Sequence, residues 1–191
     1  REDYDLGLVK YEAALLVEKL QNETASTIII SSEDLSGHMP GRHRLHGYGA
    51  APHLMGAMVM AFKTAAPDDA ITFFFTTRTR EAWLRSCYVQ HLRAARMIWD
   101  EADYMKRMKT SADFAAIIDQ IKREVPECEV LTTSLEEHTA RPLGIAEALL
   151  DLLALDEKRR AAMVPSALRT SALPADIQAQ LLALNRSDLD T

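Results

Sequence analysis

Ile71-Thr72-Phe73-Phe74-Phe75-Thr76-Thr77-Arg78-Thr79-Arg80-Glu81-Ala82-Trp83-Leu84-Arg85-Ser86-Cys87-Tyr88 is the stretch on which the fold turns. Ile71 to Phe75 is an apolar run of strand length, preceded by the turn residues Pro67-Asp68-Asp69, and reads as a buried strand. Hydroxyl residues and an arginine close it. From Arg80 to about Lys109 the pattern is helical, with a break near Asp100. A strand that passes directly into a helix is half of a βαβ unit.

The flanking sequence repeats this alternation. Leu6, Val9, Ala13, Leu16, Val17 and Leu20 fall at helical spacing across 6–21, and Asn22 stands near the stop. Thr27-Ile28-Ile29-Ile30 is β-branched and reads as a second buried strand. Residues 34–50 are loop, rich in glycine and histidine. Pro52 suits the first turn of a helix that continues through Phe62. Ser111 is placed to cap a helix bearing Phe114, Ile117, Ile118 and Ile121, which ends at Pro126. Glu129-Val130-Leu131 is a third, shorter strand, and helices follow at 142–155, 157–163 and 174–185. Strands alternating with helices predict right-handed crossovers and a parallel sheet covered on both faces. The expected class is therefore α/β, a helix-rich three-layer α/β/α domain with a small parallel sheet.

The 191 residues, 48% apolar and 26% charged, suit one folded domain and exclude wholesale disorder. With 22 basic and 28 acidic side chains the net charge is −6, which argues against a general nucleic-acid binder. Charge is uneven, however. From Arg78 to Lys109 eight Lys/Arg face four Asp/Glu, a local +4 that leaves −10 on the remainder. This favours a small anionic ligand over nucleic acid, with a solvated helix face as the plainer alternative. Cys87 and Cys128 form neither a disulfide framework nor a zinc pattern, which suits a reduced compartment. No apolar run approaches membrane length and the first residues lack a signal-peptide core, so a cytoplasmic chain is expected. The chain opens without Met, as an internal piece of a longer protein would.

In open parallel sheets ligands bind beyond the carboxyl ends of the strands. Those ends read Ser31-Ser32-Glu33, Thr76-Thr77-Arg78 and Thr132-Thr133-Ser134. Such an edge suits a polar anion. At its best-defined point Arg78 can fork onto a phosphate, the following helix offers free N–H groups, and Ser86 lies two turns along. The plainer alternative is a surface arginine and a serine packed on the sheet.

An arginine closing a strand with a serine eight residues later on the next helix resembles the 3′-phosphate signature of sulfotransferases that use 3′-phosphoadenosine 5′-phosphosulfate. Thr77-Arg78, Trp83-Leu84, Ser86, Tyr88 and Gln90-His91 resemble the bacterial sulfotransferase-like branch of that family. Ile29-Ile30-Ser31-Ser32-Glu33-Asp34-Leu35-Ser36, Leu135-Glu136-Glu137 through Leu155, and Leu184-Asn185-Arg186-Ser187 are similar to it as well, in the expected order. The resemblance implies a P-loop NTPase-like fold and sulfuryl transfer to a hydroxyl of a small-molecule or carbohydrate acceptor. It implies Arg78 and Ser86 on the 3′-phosphate, and no metal. The family's Lys/Gly/Thr-rich phosphosulfate loop has no counterpart, and no Gly-x-x-x-x-Gly-Lys-Ser/Thr occurs. That loop and its strand are expected to precede Arg1, with residues 1–191 forming a single sulfotransferase-like domain.

Glu33, at a strand end, is the candidate general base for the acceptor hydroxyl, or else a turn cap or a partner of Arg42 or Arg44. His38 is a second candidate base. His38, His43, His46 and His53 match no closed tetrahedral metal pattern. Trp83, Trp99 and Tyr88 can stack an adenine or belong to the core. Arg93, Arg96, Lys106, Arg107 and Lys109 read as a solvated face, with acceptor recognition as the alternative. Two rival functions stand beside sulfuryl transfer. One is a non-catalytic nucleotide-binding or scaffold member of the fold; the other is a P-loop small-molecule kinase, with Asp34 as its magnesium ligand.

Overall fold

Asp5 accepts hydrogen bonds from the N–H groups of Gly7 (2.8 Å) and Leu8 (3.2 Å), and so starts the helix α1, Leu6–Leu20. In the computed structural model residues 5–41, 46–165 and 173–187 are described. Among the described residues helix dominates, at 58%, over a two-stranded parallel sheet, which places the chain in the α/β class. The chain divides into two compact units. One comprises Arg1–Phe73 with Asp113–Leu131, the other Phe74–Ala112 with Thr132–Thr191.

In the first unit α2 (Ala51–Ala65) packs against α1 and against α5 (Phe114–Glu124). Pro52 sits in the first turn of α2, where its missing N–H costs nothing. Val17, Met55, Val59, Ile121 and Val125 form the buried centre. Gly56 permits the close approach of α5: a Cβ there would stand 3.0 Å from Glu124 Oε1. The Lys63 ammonium at the last turn of α2 donates to the carbonyls of Pro67 (2.9 Å) and Asp69 (2.6 Å), holding the turn that leads into the sheet.

The second unit is organised on α3 (Arg80–Ala94), whose Leu84, Cys87, Tyr88, His91 and Leu92 are buried. Ala95 is extended, and Asp100 caps the separate helix α4 (Glu101–Arg107) through the N–H of Asp103, which accounts for the break expected near that residue. Tyr104 of α4 is buried, shares a 2.9 Å hydrogen bond with His91 Nδ1 and stacks obliquely on Tyr88. At the other end α9 (Ala175–Arg186) docks on α3 by reciprocal capping. Asn185 donates to the carbonyl of Leu92, while Arg96 donates to the carbonyls of Asn185 and Ser187. The intervening chain forms the short helices α6 (Leu135–His138), α7 (Ala146–Leu152) and α8 (Glu157–Ala161).

The strands are β1 (Thr72–Thr77) and β2 (Glu129–Ser134), paired with each other. Three expectations are corrected. Thr27–Ile30 is not a strand: Ile28, Ile29 and Ile30 are 43%, 51% and 38% exposed. A β-branched run states a preference for extended backbone, but a strand needs a neighbour to share its hydrogen bonds, and no described strand pairs with 27–30. Likewise Phe73–Phe75 are half-buried rather than buried, and each strand has a single neighbour among the described residues. Finally, Asp113 rather than Ser111 caps α5, its carboxylate accepting from the N–H of Ala116 at 3.2 Å, while Ser111 is buried in the preceding 3₁₀ turn Lys109–Ala112.

Ile121→Ala removes fully buried methyl groups and should cost about 2–5 kcal/mol in urea unfolding. Ile29→Ala at the exposed run should change stability by less than about 0.5 kcal/mol. A loss at Ile29 as large as that at Ile121 would mean that Thr27–Ile30 is a core strand after all.

Candidate functional site

Two of the three strand ends singled out by sequence lie side by side. Thr77 Oγ1 donates to the carbonyl of Thr133 at 3.1 Å, so β1 delivers Arg78 and β2 delivers Ser134 to one edge. Helix α3 starts at once from Thr79, whose side chain makes no capping hydrogen bond. Its first-turn N–H groups and the positive end of its dipole therefore face this edge without a side-chain hydroxyl over them.

Glu136 fills the position. Its Oε1 accepts from the N–H of Thr79 at 3.2 Å and lies 3.8 Å from Arg78 Nε; its Oε2 accepts from the Ser134 hydroxyl at 2.7 Å. The Ser134 hydroxyl first, then backbone N–H groups, then the Arg78 guanidinium hold this carboxyl below its ordinary pKa. Arg78 and Glu136 are 34% and 36% exposed in their side chains, too sheltered for a freely solvated pair. Yet Arg78 Nε, buried as an atom, makes no hydrogen bond with any described residue. A buried guanidinium donor left 3.8 Å from a carboxylate is a donor that an additional oxygen can satisfy. Behind it, burial pushes the Cys87 thiol up to about 12, with Arg78 acting in the opposite sense.

The site residues expected from sequence are distributed unevenly. Ser86 is exposed on α3, and its neighbour Cys87 is the one that feels Arg78. Glu33 and Asp34 are exposed in the 3₁₀ turn Glu33–Ser36 of the first unit, where Ser32 accepts from the N–H of Asp34. With no strand at 27–30, the sheltered strand end assumed for Glu33 is not present. His38 and His46 are exposed, His53 lies 3.7 Å from Glu124, and His43, Arg42 and Arg44 fall outside the described residues. Among the described residues no three His, Cys, Asp or Glu side chains are grouped to hold a metal ion. Tyr88 belongs to the core, Arg107 covers Trp99 at 4.6 Å, and Arg96 anchors α9. Cavities of about 350 and 520 Å³ flank α2 in the first unit; neither is lined by Arg78, Ser86 or Glu33. No described helix is long and apolar enough to cross a membrane.

A polar network that sequence reading missed extends from the same edge. Thr133 Oγ1 lies 2.8 Å from His138 Nε2, and Arg141 lies 3.4 Å from His138 Nδ1. Arg141 also grips Asp151 and the buried Glu147, which Arg160 contacts from the other side. The available signal was Ser134-x-Glu136, a helix-start pattern whose acidic residue faces a first-turn dipole.

No protein-family model matches this chain, and neither the curated proteins nor the solved structures contain a match.

Two measurements check this geometry. Hydrogen bonds from Arg141, then from Arg160, hold the Asp151 carboxyl well below the carboxylate range. A depressed native pKa adds stability that is present above the unfolded-state value of about 3.9 and is lost as pH falls through the native value. Asp151→Asn should therefore lower Tm at pH 7, with the gap to wild type closing only below about pH 4. In the second, a disulfide reagent at pH 8 should modify Cys128 in the folded protein and reach Cys87 only on unfolding.

Proposed function

We propose that this chain is a sulfotransferase-like α/β protein whose β1–α3 junction holds the 3′-phosphate of 3′-phosphoadenosine 5′-phosphosulfate. The observation that carries the reading is the buried Arg78 Nε without a hydrogen-bond partner, beside the N–H of Thr79 at the start of α3. A phosphate oxygen satisfies both donors, and the dianion meets the helix dipole with the favourable sign. When bound, the co-substrate supplies the sulfuryl group that an acceptor hydroxyl takes up. Arg78, Thr79 N–H and Ser86 would set the register of the nucleotide; Glu33, with His38 as the second candidate, is the proton acceptor that the sequence offers. The acceptor class is a small molecule or carbohydrate.

A second reading is a non-catalytic nucleotide-binding member of the same fold. It is favoured by the exposed position of Glu33 on a 3₁₀ turn rather than at a strand end. Turnover separates the two. In the enzyme, Glu33→Gln abolishes sulfuryl transfer and leaves nucleotide affinity intact, because a proton acceptor acts in the transition state.

Calorimetry should show adenosine 3′,5′-bisphosphate binding more tightly than adenosine 5′-monophosphate. Arg78→Ala should weaken the bisphosphate about 10- to 100-fold, since each charge-assisted hydrogen bond contributes about 1.5–3 kcal/mol. Arg78→Lys keeps the charge but loses the planar fork, and should fall between. Equal affinity for the two nucleotides, or unchanged affinity in Arg78→Ala with a lower Tm, rejects the assignment.

A further inference from the structure

We infer that the cavity of about 350 Å³ lined by α1, α2 and the end of α5 is a binding site for a small zwitterion, an aliphatic α-amino acid. All of its lining belongs to the first unit, so it stands independently of the β1–α3 junction and of the nucleotide reading.

Charges of both signs line this cavity and do not close on one another. The Lys10 ammonium on α1 makes no hydrogen bond or ion pair with any described residue, and neither does the Glu127 carboxylate, just past the end of α5. Lys63 spends two of its three N–H donors on the carbonyls of Pro67 and Asp69, which fixes its charge in place and leaves one donor. Glu124 has His53 Nδ1 at 3.7 Å, beyond hydrogen-bond reach, so its oxygens keep their accepting capacity. Two lysines and two glutamates thus share one cavity without pairing. Their formal charges cancel, so the lining favours neither a lone anion nor a lone cation. An ammonium and a carboxylate carried on the same ligand answer both signs at once.

The rest of the lining is apolar. Leu6 and Met60 are 37% and 55% exposed, which is apolar area that an aliphatic side chain would cover. Gly56 shapes the acidic wall: a Cβ there would stand 3.0 Å from Glu124 Oε1 and push the carboxylate off α2. In the bound arrangement the ligand's ammonium meets Glu124 and Glu127, and its carboxylate meets Lys10 and the remaining donor of Lys63. Its side chain lies on Leu6 and Met60. The second cavity, of about 520 Å³, shares Lys10, Ala57 and Met60 with the first, and Glu18 is its one further charged residue. A longer side chain therefore has an apolar continuation between α1 and α2. Both volumes fall within the range of small-molecule sites.

The experiment measures by calorimetry the binding of L-leucine, glycine, L-leucinamide, which lacks the carboxylate, and 4-methylpentanoate, which lacks the ammonium. The proteins are wild type, Lys10→Gln, Glu127→Gln and Gly56→Ala, each confirmed folded by circular dichroism. Wild type should bind leucine about 10-fold or more tightly than glycine or either analogue, one charge-assisted contact being worth about a decade. Lys10→Gln should weaken leucine about 10-fold, leave leucinamide unchanged and so erase the difference between them. Glu127→Gln and Gly56→Ala should weaken leucine while leaving 4-methylpentanoate unchanged. Lys10 and Glu127 are exposed, so their variants carry the test if Gly56→Ala fails to fold. Absence of saturable leucine binding up to about 10 mM overturns the proposal. So does equal affinity for leucine and both analogues, or a loss in Lys10→Gln that leucinamide shares.

Discussion

A hydrogen bond from the Thr77 hydroxyl to the Thr133 carbonyl joins strand ends 56 residues apart in sequence, and the candidate site depends on the pairing it represents. Neither Arg78 nor Glu136 finds the other through local structure. Each reaches the common edge because its strand runs parallel to its neighbour and ends level with it. Parallel pairing needs a crossover, and here the crossover carries α3, α4 and α5. The site is thus as stable as a two-stranded sheet made so by the helices around it, since two strands alone are marginal in water.

The second unit is organised on α3. Its buried face meets Tyr104 in a hydrogen bond between His91 Nδ1 and the Tyr104 hydroxyl, in an apolar setting where an unpaired hydroxyl would be costly. The helix is then held at both ends: at its start by the Glu136 carboxylate, which accepts the N–H of Thr79, and at its finish by exchange of caps with α9. Arg78 lies in the short link between the end of β1 and the start of this helix.

The helices were largely legible in the sequence because their signals are local. Period-3.6 apolar spacing, the break near Asp100 and Pro52 in a first turn each act within a few residues. The two real strands were legible for the same reason. Thr27–Ile30 shows where local reading stops: its residue types are those of β1, and only the choice of pairing partner separates a strand from an exposed segment. The site was half visible. Arg78 announced itself as a charge at the end of an apolar run, and Thr133-Ser134 as hydroxyls at another. That Glu136 would face Arg78 could not be read, because it is a register fact about two strands and not a property of either. The sheltered position assumed for Glu33 failed with the strand that was meant to provide it.

The exchange of caps between α3 and α9 has a consequence for how the chain is made. Arg96 waits for the carbonyl of Asn185, 89 residues further on, and the carbonyl of Leu92 waits for the Asn185 amide. At translation rates of about 5–20 residues per second, roughly 4 to 18 seconds separate the synthesis of the two partners. Over that interval the Leu92 carbonyl has only water for a partner, and the last turn of α3 frays accordingly. Its closing hydrogen bond is set only once α9 has been made.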